Sequence, residues 1–101
     1  MSTRRYAPQE TKPLLLVFFD PRSGRSRRTE GFLAQVLQRR RNHDTFRLYR
    51  IDTTARPDLA RMFLIDLVPT LVVVEDKRVK ARLEQPSGCK DVTTLLDPWL
   101  S

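Results

Sequence analysis

The sequence has one cysteine, one histidine and three glycines among its 101 residues. A lone cysteine, Cys89, excludes an internal disulfide, a Cys-x-x-Cys pair and a cysteine-ligated zinc finger. Asp52, Asp58 and Asp66 show no metal-ligand spacing with His43, so neither a metal site nor a cofactor is expected. No apolar run is longer than Leu14 to Phe19, well short of the ~20 residues of a membrane span. The N-terminus, MSTRRYAPQE, lacks the apolar stretch of a secretory signal. These absences give a cytoplasmic protein without a membrane partner as the expectation. Repeats and low-complexity segments are also missing.

Acidic residues are outnumbered. The chain holds 12 Asp and Glu against 19 Lys and Arg, 15 of them arginine, for a net charge of +7. Such a surplus suits nucleic acid or an acidic protein surface, or it serves solubility alone. With 40% hydrophobic and 31% charged residues, the composition is that of one globular domain. Residues 1–12 are polar and aperiodic and read as a flexible N-terminal arm. Residues 13–101 read as the domain.

Leu14 to Phe19 is continuously apolar, with β-branched and aromatic residues, and lies between Pro13 and Asp20-Pro21. A strand buried on both faces has this pattern. Phe32, Leu33, Val36 and Leu37 then recur on one helical face. Ser23 or Ser26 caps the start of that helix. Gly31 within it marks a bend or a close approach, and Arg39-Arg40-Arg41-Asn42 marks its end. Phe46 to Asp52 alternates as a strand with one polar face. Pro57 opens a short helix carrying Leu59, Met62 and Phe63. Thr70 to Glu75 is a second buried strand, Asp76-Lys77 a turn, and Arg78 to Glu84 the returning strand of a hairpin. Val92, Leu95, Leu96 and Trp99 have helical spacing, with Ser87 as cap and Pro98 as terminator. The order is β-α-β-α-β-β-α. Its first β-α-β unit is necessarily parallel and its last pair antiparallel, which gives a mixed four-stranded sheet flanked by helices.

From Pro13 to Trp99 these residues resemble the thioredoxin-like family. Leu14 to Asp20 followed by Arg22-Ser23-Gly24-Arg25-Ser26 is similar to that family's strand and Trp-Cys-Gly-Pro-Cys turn. Pro57 to Thr70 resembles its helix and Val-Pro-Thr loop, in which the proline is cis. The resemblance implies an α/β thioredoxin-like fold. It also implies a peptide groove between the Ser23–Ser26 turn and the Val68-Pro69-Thr70 loop, where a partner backbone pairs at Val68.

The departures concern the chemistry. Both family cysteines are serines here, and a hydroxyl un-ionised at neutral pH does not exchange with disulfides. The family's buried aspartate corresponds to Val17, its aromatic residue to Arg22 and its proline to Arg25. No catalytic residue is therefore assigned, and dithiol–disulfide oxidoreductase activity is expected to be absent. The expected function is a non-catalytic module binding an acidic protein or peptide through Arg22, Ser23, Gly24, Arg25, Ser26, Val68, Pro69 and Thr70.

Arg22, Arg25, Arg27 and Arg28 surround a helix N-terminus. They form either an anion-binding corner or a solvated basic turn. Two other functions remain open. One is nucleic-acid or ribonucleoprotein binding through the arginines, and the other is residual thiol chemistry at Cys89. His43 is expected at the far end of the helix, out of reach of Ser23.

Overall fold

The computed structural model describes residues 12–38 and 45–100. Except for Lys12, the expected N-terminal arm lies outside these residues, as do the helix end at Arg39–Asn42 and His43. The elements are β1 (Leu14–Phe19), α1 (Gly24–Gln38), β2 (Arg47–Asp52), α2 (Pro57–Met62), β3 (Thr70–Glu75), β4 (Arg78–Glu84) and α3 (Cys89–Leu96), with a 3₁₀ turn at Asp97–Trp99. The sheet order is β2-β1-β3-β4. Strand β1 runs parallel to β2 and antiparallel to β3, and β3 forms a hairpin with β4. The mixed sheet is therefore the one the sequence implies.

The unbroken apolar character of β1 follows from its place between two layers. Leu15 and Val17 join Leu33 and Val36 of α1, Leu71 and Val73 of β3, and Val92 and Leu96 of α3 in one core. Leu16 and Phe18 point to the opposite face and meet Val72, with Leu59, Phe63 and Ile65 packed against them. The Phe18 and Phe63 rings lie 5.5 Å apart, within the range of favourable aromatic pairs. The hairpin turns on Asp76 and Lys77, both left-handed at φ 56° and 65°, as a two-residue turn matching strand twist requires.

Several local expectations differ from the structure. Strand β2 lies at the sheet edge and buries no complete face: Leu48 and Tyr49 are 44% and 48% exposed, and only Ile51 packs against the core. Met62 is 71% exposed. Leu59 and Phe63, four residues apart, take the inward face at helix α2, which leaves Met62 beside it. Gly31 is exposed, and a Cβ there would meet nothing within 4 Å, so no close approach accounts for it.

Gly88, not Ser87, is the N-cap of α3. Ser87 stands one residue earlier, where its N–H and hydroxyl both donate to Asp91 Oδ2 at 2.8 Å. Those bonds, the backbone one first, hold the Asp91 carboxyl below its ordinary value. Pro98 falls in the 3₁₀ turn just past α3. Among the described residues no helix is long and apolar enough to cross a membrane.

Phe18→Ala removes a fully buried ring and is expected to cost ~3–5 kcal/mol. Met62→Ala should stay within about 0.5 kcal/mol of the parent. Urea unfolding of both variants checks the pair. Because Asp91 is ionised more readily in the folded state, its contribution is present above its ordinary pKa of 3.8 and is lost as pH falls through the lowered folded value. Asp91→Asn should therefore flatten the acid limb of the stability profile, and an unchanged limb in that variant would contradict the assignment.

Candidate functional site

Two segments meet at the carboxyl end of β1. The first is the turn into α1. The Asp20 carbonyl accepts the Ser23 N–H at 2.9 Å, and Asp20 Oδ1 accepts the Arg22 N–H at 2.9 Å. The Arg22 guanidinium returns to the same carboxylate through Nε at 3.2 Å and Nη2 at 3.3 Å. These bonds, the side-chain ones foremost, hold the Asp20 carboxyl below its ordinary range.

Ser23 is the helix cap, its Oγ accepting the Ser26 N–H at 3.2 Å. Ser26 is buried, and its Oγ accepts the Asp20 N–H at 3.2 Å. Both hydroxyls therefore secure the turn from within. A helical turn beyond, Thr29 is also buried, and its Oγ1 has no hydrogen-bond partner. Ser26 and Thr29 continue the Leu33–Val36 face backwards at helical spacing, but as polar residues they carry no apolar signal.

The second segment is the loop into β3. The Val68–Pro69 peptide is cis. Thr70 is fully buried, and its hydroxyl donates to the Leu67 carbonyl at 2.6 Å. Phe18 pairs with Thr70 in the sheet, which sets this loop beside the end of β1. On the approach to it, Met62, Leu64 and Leu67 are 71%, 74% and 44% exposed. The Arg82 guanidinium holds that approach by donating to the Phe63 and Leu64 carbonyls, both at 2.9 Å.

Gln85 joins the two segments. Its N–H donates to the Pro69 carbonyl at 2.7 Å and its Nε2 to the Val68 carbonyl at 3.1 Å. Its Oε1 accepts from Arg25 Nη1 at 2.8 Å. Sequence reasoning missed this residue. A glutamine before Pro86 carries no motif, and the residue preceding a proline ordinarily favours extended backbone, whereas Gln85 has φ 47°.

The four arginines of the turn divide. Arg22 is paired with Asp20. Arg25 and Arg28 line a cleft of about 300 Å³ beside Gln85, Pro86 and Ser87. Arg27 lines a separate cleft of about 250 Å³ with Arg50. In that second cleft Arg50 is held by Glu30 at 2.8 and 3.0 Å and lies over the Phe19 ring at 5.6 Å.

Val17, where the resemblance places a carboxylate, is buried in the apolar core. Cys89 is half-buried at the start of α3, its thiol donating to Gln35 Oε1 at 2.9 Å. Gln35 lies twelve residues beyond Ser23, roughly 18 Å along the helix. No group of three or more His, Cys, Asp or Glu among the described residues is placed to hold a metal ion.

The whole backbone resembles solved thioredoxins. The germline-specific thioredoxin Deadhead of Drosophila melanogaster superposes with a TM-score of 0.79 at 15% identity, over 98% of this chain and 91% of its own. Thioredoxin of Fasciola hepatica gives 0.78 at 11% identity over the same shares. Mitochondrial thioredoxin 3 of Saccharomyces cerevisiae, in its oxidised form, gives 0.72 at 15% identity, over 94% of this chain and 89% of its own. No curated protein matches in sequence. The thioredoxin family model, by contrast, matches residues 4–98. Nearly the whole length is matched, and the chain belongs to the thioredoxin family.

Proposed function

We propose that this protein is a non-catalytic thioredoxin-fold binding module. It holds an extended segment of a protein or peptide at the groove between the Ser23–Ser26 turn and the Val68–Pro69 loop. The observation that carries this reading is the state of the two serines. Where the family places its thiols, Ser23 and Ser26 accept backbone N–H groups of their own turn. A hydroxyl neither supplies a thiolate nor exchanges with a disulfide, and the apolar Val17 offers no proton relay. The groove itself is built from backbone and sheet register, so it outlasts the loss of the thiols. The exposed Met62, Leu64 and Leu67 supply apolar contact area on the approach to Val68, and Arg25 and Arg28 supply positive charge on the opposite side.

The two rival readings have less support. Arg22, Arg50, Arg56 and Arg82 are each within ion-pair distance of a carboxylate and sit on different elements. They do not form a stripe of free cations along one face, as phosphate-backbone binding favours. Cys89 lies too far along α1 from the turn to replace the missing thiols.

In a disulfide-reduction assay with a dithiol donor, the protein should give no turnover above a protein-free control. Turnover abolished by Cys89→Ala would contradict the proposal. For the binding role, extended peptides selected from a random library on the immobilised protein should lose at least tenfold in affinity, about 1.4 kcal/mol, on Leu67→Asp. That substitution is at an exposed position and should leave unfolding unchanged. Equal affinity for the parent and the variant would move the site elsewhere.

A further inference from the structure

Gln85 spans the two segments that wall the proposed groove. A glutamine carboxamide carries the same donor and acceptor as a peptide group, and here both are used across the groove. The Nε2 donor meets the Val68 carbonyl and the Oε1 acceptor meets Arg25. The backbone is committed as well, since the Gln85 N–H is bonded to Pro69. Its φ of 47° is a region that non-glycine residues visit at a cost. A strained residue that ties two facing segments together is held by those bonds and is released when they are exchanged.

We propose that Gln85 is a displaceable internal occupant of the groove, and that an extended acidic peptide enters by replacing its carboxamide. The inference rests on the binding role proposed above and adds to it the class of partner and the means of selection. A partner backbone N–H takes over the Val68 carbonyl, and a partner carboxylate takes over Arg25. The first exchange is close to neutral, one amide donor for another. The second favours the partner, because a carboxylate brings its own negative charge, and a second acceptor oxygen, to a guanidinium that the neutral glutamine oxygen meets singly. A neutral peptide gains nothing at Arg25 to offset the loss of the Gln85 contacts. Gln85 therefore sets one cost of entry for every peptide, and Arg25 supplies the preference that lets acidic segments overcome it. Arg28, lining the same cleft, adds to the preference.

The test uses a fluorescein-labelled hexapeptide alternating valine and glutamate, and a counterpart with glutamine in place of glutamate. Binding is read by fluorescence anisotropy on the full chain and on Gln85→Gly and Gln85→Asn. Both substitutions suit the left-handed backbone, and asparagine is too short to span from Val68 to Arg25. Both variants should bind the acidic probe about tenfold more tightly than the parent, and the neutral probe should gain by a similar factor. The parent should prefer the acidic probe and lose that preference on Arg25→Ala. Unchanged or weaker binding by both Gln85 variants, with binding by the parent intact, would overturn the role of Gln85 and leave the groove reading standing. No binding of either probe by the parent or the variants would overturn the groove reading and this inference with it.

Discussion

The antiparallel register of β1 on β3, with Phe18 opposite Thr70, is the constraint from which the site follows. It makes the end of one buried strand coincide with the beginning of another. The turn 20–26 leaves the sheet where the Val68–Pro69 loop enters it, so the two segments face each other without a dedicated loop to bring them together. The register is fixed by burial on both faces. Shifting it by one residue would exchange Leu15 and Val17 with Leu16 and Phe18 between the two cores. The facing of the two segments is therefore set by the sheet register.

What stands in the turn has been absorbed into local structure. Ser23 caps the helix, Ser26 holds the Asp20 N–H, and Asp20 and Arg22 close on each other. Asp20, Arg22, Ser23 and Ser26 each have a partner within six residues. Arg22 at the positive end of a helix is locally unfavourable, and the Asp20 carboxylate offsets it at short range. Arg25 takes a neutral acceptor, Gln85. That bond ties the turn to the segment that follows β4, whereas Arg22 closes on its own turn.

Much of this architecture is legible in the sequence. β1 and β3 carry uninterrupted apolar runs, Leu14 to Phe19 and Leu71 to Val74, because both of their faces are covered. The hairpin and the helix cap follow from local turn and hydroxyl chemistry. The residues that carry the family resemblance, the turn and the Val-Pro-Thr loop, are the two segments that meet at the end of β1. The rest depends on tertiary partners. The alternation in β2 looked half-buried, yet an edge strand with few apolar neighbours leaves Leu48 and Tyr49 exposed. Met62 has the spacing of a core residue, but Leu59 and Phe63 take the inward face beside it. Arg50 finds Glu30 twenty residues away, and Gln85 finds Arg25 sixty residues away. No window along the chain contains either pair, so a basic cluster in sequence became a divided set in space.

The central claim is that a thioredoxin fold without its thiols retains the groove as a place where another backbone can pair. Backbone amide chemical shifts, followed while an extended acidic peptide is titrated into the protein, address that claim directly. The account predicts that the largest changes fall on Val68, Thr70, Arg25 and Gln85, with the amides of β2 and of α3 beyond Cys89 unmoved. Changes confined to the β2 edge or to scattered arginine-bearing segments, with Val68 and Thr70 unaffected, would contradict it.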